Sequence, residues 1–225
     1  MVRALIPALL LAAACTANSG DEGMFVVNNS ALATGTTTCS FTGALDQPFI
    51  TSGEVYSGSP FGYEMTPLIE SRIAEVMGLD TQKTITIEGA HVTLTAPGVT
   101  FTTPKFDAYF AATLPPASSI NAGFELLPVQ ALQDITAAGS AANDIQVLAN
   151  VVPFGTLGGS RIDGSPFQYP VTVGSNLVVN MLGDCTALAS GTVPRAGNPC
   201  NVYQDGIVDC CTKGATLVCP APMPM

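Results

Sequence analysis

Thr84-Ile85-Thr86-Ile87-Glu88-Gly89-Ala90-His91-Val92-Thr93-Leu94 is the stretch on which the fold turns. Thr84 to Ile87 alternates polar and apolar side chains, as a strand with one buried face requires. Ala90 to Leu94 also alternates, but in the opposite phase. A straight strand through both halves would turn one of the two apolar sets into water. A bulge or bend at Glu88-Gly89 keeps both halves on one core. His91 then shares the polar face with Thr93 and Thr95, opposite Ala90, Val92 and Leu94.

Working outward, further runs suit short strands: Met24 to Val27, Phe106 to Ala112, Gly123 to Val129, Ile145 to Val152, Phe167 to Val173 and Asn176 to Leu182. Turn residues separate them, at Pro97-Gly98, Pro115-Pro116, Gly158-Gly159, Asp163-Gly164 and Gly174-Ser175. Two stretches carry helical spacing as well. Met65 to Met77 places Leu68, Ile69, Ile73, Val76 and Met77 near one helical face, so a strand leading into a helix is expected there. Leu126 to Ala138 is the second candidate for a short helix. The expected fold is mainly β: an antiparallel β-sandwich, immunoglobulin-like in one form, with one or two short helices and a disulfide-stapled C-terminal segment.

The composition of the 225 residues agrees. The chain is 47% hydrophobic and only 11% charged, the reverse of a disordered composition. Seven Lys and Arg stand against seventeen Asp and Glu, which leaves no basic stripe for nucleic acid.

At the N-terminus Arg3 precedes an apolar run from Ala4 to Ala14, interrupted at Pro7. The run is too short to span a bilayer as a helix, which takes about 20 residues. It has the proportions of an export signal. It closes on Leu11-Ala12-Ala13-Ala14-Cys15, which resembles the lipobox of bacterial lipoproteins, with Ala12 where that family favours leucine. The resemblance implies cleavage behind Ala14, acylation of Cys15, and anchoring of the protein to the membrane through lipid. Thr16, rather than Asp, follows the cysteine, which in the family implies passage to the outer membrane, on either face. The other reading is an ordinary secretory signal cut nearby, with Cys15 a spare thiol. The expected division is a signal at 1–14, a small and polar tether at 15–23, a β-sandwich at 24–182, and a cysteine-rich segment at 183–225 packed on it. Without residues 1–14 the balance is six basic against seventeen acidic side chains, or −11.

Seven cysteines are an odd number. Setting Cys15 aside leaves Cys39, Cys185, Cys200, Cys210, Cys211 and Cys219, which can pair completely in an oxidising compartment. Adjacent cysteines seldom pair with each other, so Cys210 and Cys211 are expected to reach different partners. A long-range bond from Cys39 would tie the first strand region to the C-terminal segment. The stretches from Val147 to Val173 and from Asn198 to Cys211, taken with the lipobox, look similar to uncharacterised, myxobacterial-type exported lipoproteins with cysteine-rich ends. That resemblance implies a location and no activity.

Catalytic chemistry finds little to use. His91 is the sole histidine and has no sequence partner. No G-x-S-x-G elbow is present, and Ser59 in Ser57-Gly58-Ser59-Pro60 suits a turn. Gly158-Gly159 lies between strands rather than before a phosphate-binding helix. Asp205 and Asp209 flank Gly206 without the ligand pattern of a calcium loop, and solvated surface acidity accounts for them. No catalytic residue, metal or cofactor is therefore expected. The expected function is a lipid-anchored structural or binding module of the cell envelope, engaging an envelope protein or polymer and no nucleic acid. The alternative is a carboxylate-dependent envelope hydrolase.

Overall fold

The computed structural model describes residues 23–31, 48–78, 80–138, 144–175, 179–192, 194, 198 and 200–219. Cys15, Cys39, the signal and most of the tether lie outside these residues.

The chain is mainly β, as its alternation requires. Four strands form one sheet in the order β2-β1-β5-β8: Phe49–Ile50 (β2), Met24–Ser30 (β1), Pro67–Ser71 (β5) and Ser119–Asn121 (β8). The second sheet runs β3-β12-β10-β6-β7: Gly53–Tyr56 (β3), Phe167–Gly174 (β12), Ile145–Leu157 (β10), Ile85–Thr95 (β6) and Lys105–Leu114 (β7). Ser160–Asp163 (β11) folds back on β10 as a hairpin through Gly158-Gly159, both at positive φ. Tyr63–Met65 (β4) and Phe124–Leu127 (β9) make a separate two-stranded ribbon.

Both sheets feed one core. Met24, Val26 and Ile69 from the first sheet join Ile87, Val92, Val147, Val151, Tyr169 and Val171 from the second. The ribbon adds Tyr63, Met65, Phe124, Leu126 and Leu127 to the same cluster. A nine-residue helix, Val129–Ala137 (α2), buries Ala131, Leu132 and Ile135, the single stripe its spacing provides. Asp80–Lys83 (α1) is one helical turn.

The phase flip in β6 is a bulge. Register against β10 shifts between the Phe154–Gly89 and Gly155–Ile87 pairs, and register against β7 shifts between Ile87 and Gly89. Ile85, Ile87, Ala90, Val92 and Leu94 are all buried as a result. Gly89 is needed there because a Cβ would collide with the Ala108 carbonyl oxygen and come within 2.9 Å of the Phe154 ring. β1 carries a register shift of its own, between Val26 and Asn28 against β5.

One expectation is corrected. Met65 to Met77 contains no helix: β5 ends at Ser71, and residues 72–76 are without regular structure. The helical spacing arose because β5 lies between β1 and β8 and buries the adjacent pair Leu68 and Ile69. Val76 and Met77, assigned to the apolar face of that helix, are exposed. The two large sheets are antiparallel apart from one pair, β3 with β12, which is parallel.

Val179–Asp184 (β13), Val208–Lys213 (β14) and Thr216–Val218 (β15) form a three-stranded sheet, with β13 parallel to β14. It has a small core of its own, built from Val202, Val208 and Cys210.

Candidate functional site

Cys210 and Cys211 are neighbours on β14, so their side chains leave opposite faces of the strand. Cys211 bonds Cys185, with 5.0 Å between Cα atoms, and Cys210 bonds Cys219, with 4.3 Å. Cys200 is disulfide-bonded as well, so all five described cysteines are oxidised. These disulfides point to an extracellular or envelope location. Among the described residues no helix is long and apolar enough to cross a membrane.

The segment that follows Cys200 closes the sandwich at the outer edge of β3. The Tyr56 amide donates to the Tyr203 carbonyl at 2.9 Å, and Val55 forms an antiparallel bridge with Gln204. The Gln204 side-chain amide then acts on Glu64 as another strand would. Its Oε1 accepts from the Glu64 amide at 2.8 Å, and its Nε2 donates to the Glu64 carbonyl at 2.9 Å. Asn201 adds a bond from Nδ2 to the Gly62 carbonyl at 2.8 Å. The segment covers backbone groups that an open sheet edge would leave unpaired.

At the centre of this seam is a buried polar chain. Asn29 Nδ2 donates to Tyr169 Oη at 2.8 Å, and the Tyr169 and Tyr63 hydroxyls lie 3.0 Å apart. Tyr63 Oη donates to Asp205 Oδ2 at 2.7 Å. With Tyr63 donating to the carboxylate, Tyr169 donates to Tyr63, and the chain runs in one direction. Asp205 also accepts from the Glu54 amide at 2.8 Å, while its own amide donates to the Glu54 carbonyl at 2.9 Å. It adopts φ +47°, an uncommon value for a residue with a side chain. Burial pushes the Asp205 carboxyl up to about 6, against the opposing pull of the Tyr63 hydrogen bond. Burial also raises Tyr169 to about 12 and Tyr63 well above its ordinary value, so both phenols stay protonated donors. Gly53 makes room for this chain, since a Cβ there would lie 2.5 Å from the Tyr63 hydroxyl oxygen.

Sequence reasoning placed Asp205 on the acidic surface beside Asp209. The structure separates them: Asp205 turns into the seam, whereas Asp209 accepts from Asn180 Nδ2 at 2.8 Å. Among the described residues no group of three or more His, Cys, Asp or Glu side chains is arranged to hold a metal ion. Ser59 does serve a turn, its hydroxyl bonding both the amide and the carbonyl of Phe61.

His91 has more partners than its sequence suggested. Strands β7 and β11 bring Asp107 and Arg161 to it from either side. Asp107 Oδ1 lies 2.6 Å from Nδ1, and Arg161 Nη2 lies 3.0 Å from Nε2. An arginine can only donate, so Nε2 accepts and the ring proton sits on Nδ1, directed at Asp107. The hydrogen bond from His91 holds the Asp107 carboxyl below its ordinary value. The imidazole stacks on Phe154 at 4.4 Å, with Tyr109 edge-on to the same ring and Arg161 over it. Non-local register brings these groups together, and no local motif announces it.

Glu64 and Glu125 face each other across the β4–β9 ribbon. Burial raises both carboxyls, and the Glu125 charge raises Glu64 further.

No family model matches the chain, and none of the curated proteins matches it. Among solved structures, the chain is similar to one described as "Crystal structure of protein from Archaeoglobus fulgidus", with 15% sequence identity and a TM-score of 0.36, over 53% of this chain and 90% of that one.

Proposed function

We propose that the protein is an exported, lipid-anchored structural or binding module of the bacterial cell envelope, directed to the outer membrane. The observation that carries the proposal is cysteine parity. Two disulfides use four of the five described cysteines, and Cys200 is oxidised too. Only Cys15 and Cys39 remain as partners for Cys200, so one of the two is left over. A leftover Cys15 suits the lipobox that ends on it, and Cys39–Cys200 then completes the staples. The acid–base groups are occupied internally, His91 through both ring nitrogens and Asp205 within the seam.

Fractionation of cells producing the wild type and Cys15→Ser tests the anchor. The wild type is expected in the membrane fraction and the variant in a soluble or unprocessed form. Identical membrane fractionation of the two contradicts the proposal. The hydrolase alternative has one specific observation in its favour, the facing pair Glu64 and Glu125. Release of soluble fragments from isolated envelopes, abolished by Glu64→Gln or Glu125→Gln, would replace the module reading with it.

A further inference from the structure

A cleft of about 760 Å³ opens at the start of β1, lined by Gly23, Phe25, Val26, Arg72, Ile73, Ser165 and Pro166. Its volume is in the range that holds small ligands, about 300–1,000 Å³. Backbone bonds set its walls: the Arg72 amide donates to the Gly23 carbonyl at 3.1 Å, and the Ser165 amide donates to the Met24 carbonyl at 2.9 Å. Phe25 and Ser165 form a parallel bridge across it. Both lips are therefore fixed before any ligand arrives.

The lining is chemically lopsided. Among the described residues, the lining of this cleft includes one cation, Arg72, and no carboxylate. Arg72 lies with its guanidinium 4.0 Å over the Phe25 ring, a cation–π contact. Glu70 forms a loose ion pair with it, Oε1 lying 3.9 Å from Nε and beyond hydrogen-bonding distance. An arginine stacked on an aromatic ring beside an apolar wall suits a planar or tetrahedral oxyanion that carries an apolar group.

We propose that this cleft binds a small anionic amphiphile, whose phosphate or carboxylate meets Arg72 and whose apolar body lies on Phe25, Ile73 and Pro166. The site does not depend on acylation of Cys15 and stands apart from the seam.

Calorimetric titration of the full chain carrying Cys15→Ser tests it with three probes: monomeric dihexanoyl phosphatidylglycerol, octanoate and inorganic phosphate. Saturable binding of the lipid or of octanoate is expected, with inorganic phosphate at least about tenfold weaker because it offers the cleft no apolar contact. Arg72→Gln is expected to weaken binding at least about tenfold, as loss of a charge-assisted contact does. Arg72→Lys is expected to recover part of that loss. Phe25→Leu, which keeps an apolar side chain but removes the stacking platform, is expected to weaken binding as well. Absence of saturable binding by both amphiphiles overturns the proposal. So does unchanged affinity in a folded Arg72→Gln protein, or phosphate binding as tight as that of the amphiphiles.

Discussion

The Tyr63 hydroxyl lies 2.7 Å from Asp205 Oδ2, and this bond joins the buried polar chain of the sandwich to the disulfide-bonded C-terminal segment. Tyr63 is fully buried and Asp205 half-buried, so the phenol has no water to fall back on. Tyr63→Phe leaves Asp205 without its phenolic donor and Tyr169 without an acceptor. A loss of about 1–3 kcal/mol is expected in urea unfolding, the cost of stranding buried polar groups. A change below about 0.5 kcal/mol, typical of a surface substitution, would remove the seam from the account of stability.

The same carboxylate gives stability a pH dependence. Asp205 titrates at about 6 in the folded chain, against about 3.9 in an unfolded one. Between those values the folded state binds more protons, so this group's contribution falls as pH rises from about 4 to about 6 and is flat above. The difference amounts to roughly 2–3 kcal/mol at one carboxylate. Asp205→Asn keeps a side chain that tolerates positive φ and removes the titration. The variant is expected to gain stability relative to the wild type as pH rises from 4 to 6. A constant difference between the two proteins across that window would contradict the assignment.

Gly89 tests the bulge. Its position against the Ala108 carbonyl and the Phe154 ring leaves no room for a methyl group. Gly89→Ala is expected to lower stability by roughly 1–3 kcal/mol, because one obstacle is backbone and cannot rotate away. Wild-type stability in this variant would mean that the strand does not need the close approach.

The bulge was legible because its cause is local: eleven residues contain both phases of alternation and the glycine between them. The separate fates of Cys210 and Cys211 were legible for a similar reason, since adjacent cysteines rarely bond each other. β5 was misread because a strand buried on both sides loses its two-residue period, and Leu68 with Ile69 then imitates a helical face. Asp205 was misread because sequence records charge and not direction, and its partner Tyr63 is 142 residues away. The His91 cluster depends on four strands whose register no short segment specifies.

The two disulfides should differ in weight. Cys185–Cys211 closes 26 residues and Cys210–Cys219 closes nine. Restriction of the unfolded chain grows with loop length, giving about 3–4 kcal/mol for the first and about 2–3 for the second. Replacing each pair by serines and measuring chemical unfolding should preserve that order. A reversed order would show that native packing around Cys210 outweighs the chain-entropy effect.

The proposal of a lipid-anchored module is tested most directly by mass spectrometry of the N-terminal peptide, released without reduction from protein isolated from its own envelope. The expected peptide begins at Cys15 and carries lipid on that residue, while Cys39 is recovered in disulfide linkage to Cys200. A Cys15 found unmodified, or linked to Cys200 with Cys39 left free, contradicts the lipid anchor and with it the membrane location proposed for this protein.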